Sequence, residues 1–114
     1  MHIEQRAVGN VMVVDVQGQI RLGEGDVLLR DKLQSLIHQG YKHLVLNLSN
    51  VSYVDSAGLG EIAHAYATAT RHGGTLKLAG LTKRIKDLLA ITRLLLVFET
   101  FDTDADAVES FGRV

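Results

Sequence analysis

The chain of 114 residues has no cysteine, no proline and no tryptophan, and its aromatics are limited to three Tyr and three Phe. Without cysteine there are no disulfides, no thiolate nucleophile and no cysteine-ligated metal, which leaves the redox compartment open. Without proline no rigid linker marks a boundary, and no repeat or low-complexity segment divides the chain. No apolar run approaches the roughly 18 residues of a membrane span, and "MHIEQRAVGN" lacks the basic and apolar pattern of a signal peptide. A soluble cytoplasmic protein is expected. An excess of either charge is also missing, since 12 Lys+Arg stand against 13 Asp+Glu for a formal net charge of -1. No global field gathers nucleic acid or an anionic membrane, so neither is an expected partner.

What is present is 46% hydrophobic and 22% charged content, the balance of a compact chain rather than a disordered one. A chain of this length buries roughly two-thirds of its unfolded surface, enough for one core, so a single domain over residues 1–114 is expected. "HIEQRAV" and "NVMVVDVQGQI" read as two strands across the turn pair Gly9-Asn10. "DVLLRDKLQSLIHQG" places Val27, Leu28, Leu29, Leu33, Leu36 and Ile37 near one side of a helix that Gly40 ends. "KHLVLNLSNV" is a third strand. In "LGEIAHAYATATRHGG", Leu59, Ile62, Tyr66 and Ala69 form an apolar stripe while Glu61, His64, Thr68 and Arg71 face outward, and Gly73-Gly74 stops the helix. "TLKLAGL" is a strand, "TKRIKDLLAITRL" a helix, "LVFETFD" a fifth strand and "DADAVESFGRV" a last short helix.

The order ββαβαβαβα predicts a two-layer α/β domain with a mixed, mostly parallel five-stranded sheet. Right-handed crossovers between neighbouring strands put all four helices on one face. The carboxyl ends of strands two, three and four then share one rim, where the loops Leu22 to Asp26, Tyr53 to Gly58 and Gly80 to Lys83 meet.

Little at that rim reads as catalysis. Gly58-Leu59-Gly60-Glu61-Ile62-Ala63 fits the dinucleotide pattern G-x-G-x-x-G/A between strand and helix, but the next strand ends in "LKLAGLT" with no acidic residue for a ribose. There is no G-K-[ST] for a phosphate-cradling loop, and Val54 stands where a nucleophile elbow around Ser56 needs glycine. His2, His38, His43, His64 and His72 are scattered, with no spacing that argues for a metal or a histidine base. Asp15, Asp26 and Asp55 are a conceivable cluster at the rim. Asp55-Ser56 also suits helix capping, yet there is no capping box, and two glycines in the same turn cost roughly 2 kcal/mol against alanine if both are helical. A cap worth about 1 kcal/mol does not account for them. Local sequence that disagrees with local structure marks a functional site.

"NLSNVSYVDSAGLGEI" resembles the signature of STAS domains, the sulphate-transporter and anti-sigma-factor-antagonist family, whose stand-alone members carry D-S-[ST]-G-L-G at a strand-to-helix junction. "VQGQI" and "GGTLKLAGLTKRIKDLLAITRLLLVFETFD" extend the likeness over nearly the whole chain and imply the SpoIIAA-like form of the two-layer fold. The resemblance implies a non-enzymatic switch, an anti-sigma factor antagonist. Unphosphorylated, it binds an anti-sigma factor that is itself an ATP-dependent serine kinase. Phosphorylation at the position of Ser56 releases it, and a metal-dependent serine phosphatase resets it. Asp55, Ala57, Gly58, Leu59 and Gly60 would then lie in the partner-binding segment, with Gly58 and Gly60 leaving room for the kinase. Arg21 and Gly23 of "RLGEGD" and Lys83 and Arg84 at the third helix are further contact points. Ala57 departs from the pattern by replacing a second Ser or Thr, so one acceptor remains in the motif. The reading needs no cofactor, no metal and no catalytic residue, and it suits a monomer or weak dimer. Two other functions fit the chain: a STAS subunit that scaffolds an assembly or regulates a transporter without a sigma factor, and a small nucleotide-binding domain.

Overall fold

In the computed structural model, which describes residues 1–112, the elements run β1 (His2–Val8), β2 (Val11–Ile20), α1 (Gly25–His38), β3 (His43–Val54), α2 (Ser56–Arg71), β4 (Thr75–Ala79), α3 (Lys83–Ile91), β5 (Thr100–Phe101) and α4 (Asp104–Gly112). The sheet order is β1-β2-β3-β4-β5, with β1 antiparallel to β2 and every other pair parallel. Register sets Val14, Leu46 and Leu78 side by side on one face and Val13, Val45 and Lys77 on the other. The first face carries the main core, in which Leu29, Leu33 and Leu36 of α1, Ile62, Ala65 and Ala69 of α2, and Ile85 and Leu89 of α3 are buried.

The strand β3 runs three residues further than its sequence pattern suggests, to Val54. Two irregularities allow this: Asp15 to Gln17 of β2 spans Asn47 to Asn50 of β3, and Gly18 to Gln19 spans Val51 to Tyr53. Each adds one residue to β3 and turns its side chains by one place. That is why Leu48, Val51 and Val54, spaced by three, all enter the same core. Strict alternation breaks just where the strand delivers its end to the rim.

Helices α1 and α2 stop in the same way. Tyr41 N–H donates to Leu36 O at 3.2 Å and Gly74 N–H donates to Ala69 O at 2.8 Å, around Gly40 and Gly73, which hold positive φ of 95° and 78°. These are glycine-ended helix caps. Both helices follow parallel strands, so their ends lie together on one side of the domain and their starts on the other.

Three expectations change. The helix α4 lies on the opposite face of the sheet from α1, α2 and α3, where Ala107, Val108 and Phe111 cover Val11, Val13, Val45 and Ala79. The crossover rule orders helices that link two parallel strands, whereas α4 is placed by the apolar residues of that second face, which it buries. Lys77 fastens it: its Nζ donates to Ser110 Oγ at 2.7 Å and sits 4.1 Å from the centre of the Phe111 ring. Arg6 joins in from β1, pairing with Asp15 and with Asp104 of α4. Next, β5 has only two paired residues, because "LLL" at Leu94–Leu96 forms a 3-10 turn instead. Leu94 and Leu95 pack on the main core from that turn, and Phe98 meets Tyr66 edge to face at 5.1 Å. Last, Thr68 is buried rather than outward, since α1 packs beside α2 and covers that flank. Arg113 and Val114, read with the last helix, lie outside the described residues. Among the described residues no helix is long and apolar enough to cross a membrane.

Candidate functional site

The rim forms where β2 and β3 end and α1, α2 and α3 begin, and Asp55 is its fixed point. Its backbone is extended, and Asp55 is the N-cap of α2. The carboxylate Oδ1 accepts from Gly58 N–H at 2.9 Å and Oδ2 accepts from Leu22 N–H at 2.9 Å. One carboxylate therefore closes the first turn of α2 and holds the loop that follows β2. The Gly58 N–H, followed by that of Leu22, draws the Asp55 carboxyl below its ordinary pKa, with Ala57 N–H and the Arg21 charge helping less and slight desolvation opposing. Backbone closes the same junction, with Asp55 N–H donating to Ile20 O at 3.3 Å and Leu59 N–H to Asp55 O at 2.9 Å.

The two glycines of this turn have different surroundings. Gly58 is buried, and a Cβ there would stand 2.4 Å from Ile20 O and 2.7 Å from Ile20 Cγ2. Its missing side chain is room for the end of β2, not for a partner. Gly25 repeats the device at the start of α1, where a Cβ would meet Gln19 O at 2.3 Å. Gly60 is exposed with nothing within 4 Å of a Cβ, so it alone of the pair leaves bare backbone outside. Leu59 is buried in the core and takes no outward position. Ser56, the first residue of α2, is exposed, with Ala57 half-buried beside it.

Arg21, Tyr53 and Arg84 bring the three loops together. The guanidinium of Arg21 lies 5.5 Å and that of Arg84 5.8 Å from the centre of the Tyr53 ring, within cation–π range. Lys83 instead pairs with Asp87 one turn along α3, at 3.0 Å. The loop carrying Gly23 is held by hydrogen bonds, since Asp26 N–H donates to Arg21 O at 3.0 Å. Beside Tyr53 a groove of about 630 Å³ runs along α3 past Val54, Arg84, Leu88 and Ile91. Ile91 is 80% exposed and Leu22, next to Arg21, 75% exposed. Apolar surface thus flanks two guanidiniums at the start of α2. Pattern reading names Tyr53 and Leu22 only as loop bounds at the rim, and it passes over Ile91 at the far end of the groove along α3. An aromatic directly before "VDS" was the available signal.

The three aspartates do not gather. Asp15 faces the α4 side, bound by Arg6 Nε at 2.7 Å and Asn47 Nδ2 at 2.9 Å, while Asp26 accepts from Val27 N–H at 2.9 Å within α1. Among the described residues no three His, Cys, Asp or Glu side chains form a metal cluster.

Comparison with known proteins fits this geometry. The STAS domain model matches residues 2–107. The anti-sigma-B factor antagonist of Bacillus subtilis (strain 168) is 35% identical over 94 residues, 82% of this chain and 84% of that protein. A crystal structure of an anti-sigma factor antagonist from Mycobacterium paratuberculosis superposes with a TM-score of 0.85 at 22% identity, covering 96% of this chain and 92% of that one. The Bacillus cell fate determinant SpoIIAA in its phosphorylated form gives 0.78 at 17% identity, covering 96% and 99%. With its family model spanning nearly every residue and a relative this similar, the chain belongs to the STAS domain family.

Proposed function

We propose that this protein is an anti-sigma factor antagonist whose docking is switched by phosphorylation of Ser56. The observation that carries the reading is the division of labour between two adjacent residues. Asp55 performs the structural work at the helix start with both carboxylate oxygens, while Ser56 presents an exposed hydroxyl. A serine kinase can modify Ser56 without disturbing the cap. In the transfer, Ser56 Oγ bonds the γ-phosphorus of ATP, the bond to ADP breaks, and the hydroxyl proton leaves to a base of the kinase. The names of the Bacillus relatives, an anti-sigma-B factor antagonist and a SpoIIAA solved in phosphorylated form, support the same reading.

The partner is an anti-sigma factor with serine kinase activity that docks on the rim, covering Ser56, Ala57, Gly60, Arg21, Gly23 and Arg84 together with the groove beside Tyr53. Lys83 contributes at the edge. Phosphate adds about -1.5 to -2 charge at the amino end of α2, where the helix dipole favours it by roughly 0.3–1 kcal/mol. The free protein tolerates it. In the complex the same group must shed water against the partner beside the Asp55 carboxylate, at a cost of several kcal/mol unless a cation meets it. It also competes for Arg21 and Arg84, the cations that steer an acidic partner surface onto the rim. Release follows without unfolding, and a metal-dependent serine phosphatase restores docking. Such a cycle operates in the cytoplasm.

The test begins with a pull-down from native cells and mass spectrometry of what binds. A recovered serine kinase with ATP is expected to add one phosphate, at Ser56. Ser56→Ala is expected to take none and to stay bound, and Ser56→Asp to lose the partner. Phosphate retained by the alanine variant, or undiminished binding by the aspartate variant, would overturn the assignment.

A further inference from the structure

Two of the five histidines, 34 positions apart, meet in the fold. His38 is the last residue of α1 and His72 is the C-cap of α2, and the matched glycine stops bring these two ends together. Both residues are exposed, and their ring centres are 5.6 Å apart with the planes at 61°. His38 Nδ1 lies 2.7 Å from Gln34 O and His72 Nδ1 lies 2.9 Å from Thr68 O, each a carbonyl one turn back on its own helix. A carbonyl oxygen only accepts, so each Nδ1 carries the proton and each neutral ring keeps its lone pair on Nε2. No hydrogen bond engages either Nε2 among the described residues.

An imidazole whose Nδ1–H is anchored on a backbone carbonyl and whose Nε2 is open is the form in which histidine ligates metals. The separation also fits. With metal–nitrogen bonds of about 2.0–2.1 Å, two imidazoles on one tetrahedral ion hold their ring centres about 5.2 Å apart. Helix ends reinforce the preference, because both carboxyl termini turn the negative pole of the helix dipole toward this spot. Lys42 Nζ, bonded to His72 O, and Arg71, whose Nη2 donates to Thr68 Oγ1 at 3.1 Å, oppose it and keep the affinity modest.

We infer that His38 and His72 form a two-imidazole site for a divalent late transition metal of the Zn2+, Ni2+ and Cu2+ group, water completing the shell. Neutral imidazoles select these ions over Mg2+ and Ca2+. Bound there, the ion clamps the end of α1 to the end of α2, on the side of the domain away from Ser56.

The test is titration of the full chain with zinc chloride at about pH 7.5, well above the ordinary histidine pKa, read by the imidazole NMR signals. His2→Ala serves as the background, removing the histidine beside the terminal amine. The His38 and His72 signals are expected to move together with one equivalent of zinc while those of His43 and His64 stay in place. His38→Ala and His72→Ala are each expected to weaken zinc binding by about tenfold or more, and His64→Ala to leave it unchanged. Wild-type zinc affinity in either variant, or separate titration of the two rings, would overturn the site. The ring signals are read in the unmutated pair, so the result stands even where a variant folds poorly.

Discussion

Exchanging each glycine of the first turn of α2 for alanine separates packing from access. Both variants gain the helix propensity difference between the two residues, about 0.8–1 kcal/mol in a helix interior. At Gly58 the new Cβ would stand 2.4 Å from Ile20 O and 2.7 Å from Ile20 Cγ2. That oxygen is strand backbone, and it already accepts from Asp55 N–H, so it cannot swing aside as the tip of a long side chain would. Overpacking of this kind costs about 1–3 kcal/mol, leaving Gly58→Ala destabilised by up to about 2 kcal/mol after the propensity gain. Gly60→Ala meets nothing within 4 Å and keeps the gain, about 0.5–1 kcal/mol. For a chain of this size 1 kcal/mol moves the thermal midpoint by about 4 °C. Circular dichroism melts should therefore show Gly58→Ala below wild type, by up to about 8 °C, and Gly60→Ala about 2–4 °C above it. Shifts of the same sign in both variants would refute the claim that Ile20, rather than a partner, accounts for Gly58.

The Asp55 carboxyl has a folded pKa below its ordinary value, so its contribution is complete above the unfolded pKa and fades as pH falls through the folded one. The stability gap between wild type and Asp55→Ala should accordingly be full above about pH 5 and shrink below about pH 4. A carboxyl carbon titration placing the Asp55 midpoint at or above the ordinary value would contradict the two backbone bonds. Arg21→Glu and Arg84→Glu are each expected to weaken docking of the recovered kinase by about tenfold or more. Both side chains are exposed, so the thermal midpoint should stay within about 2 °C. Equal affinities would remove the arginines from the docking surface.

Most of the architecture was legible in alternating patterns. Strand order, parallel pairing and the stops at Gly40 and Gly73 all follow from period, length and breaker residues, which are local properties. The misread parts depend on tertiary partners. "LVFETFD" has the composition of a strand, but Leu94 and Leu95 find the core from a 3-10 turn, which leaves two residues to pair. The side chosen by α4 depends on a second apolar face made by Val11, Val13, Val45 and Ala79, and those positions were hidden inside near-continuous apolar strands. His38 and His72 illustrate the same limit: 34 residues of separation conceal a contact that two helix stops create.

At the rim, sequence pointed to the segment and misassigned work within it. The puzzle of two glycines was real, but its resolution for Gly58 lies in Ile20, more than thirty positions earlier and on another element. No local pattern could separate Gly58 from Gly60, because they flank the same Leu59 near the start of one helix and what distinguishes them is the strand end packed over Gly58. Asp55 and Ser56 were similarly ambiguous, each being a competent helix cap. The geometry divides them: with Asp55 bonded to both Gly58 and Leu22, the cap does not depend on Ser56. Had Ser56 been the cap, adding a phosphate would have altered the bond that starts α2, and signalling would have been coupled to stability. In the proposed switch, placing the cap one residue earlier lets a phosphate be added at the helix start while the proposed docking rim keeps its shape.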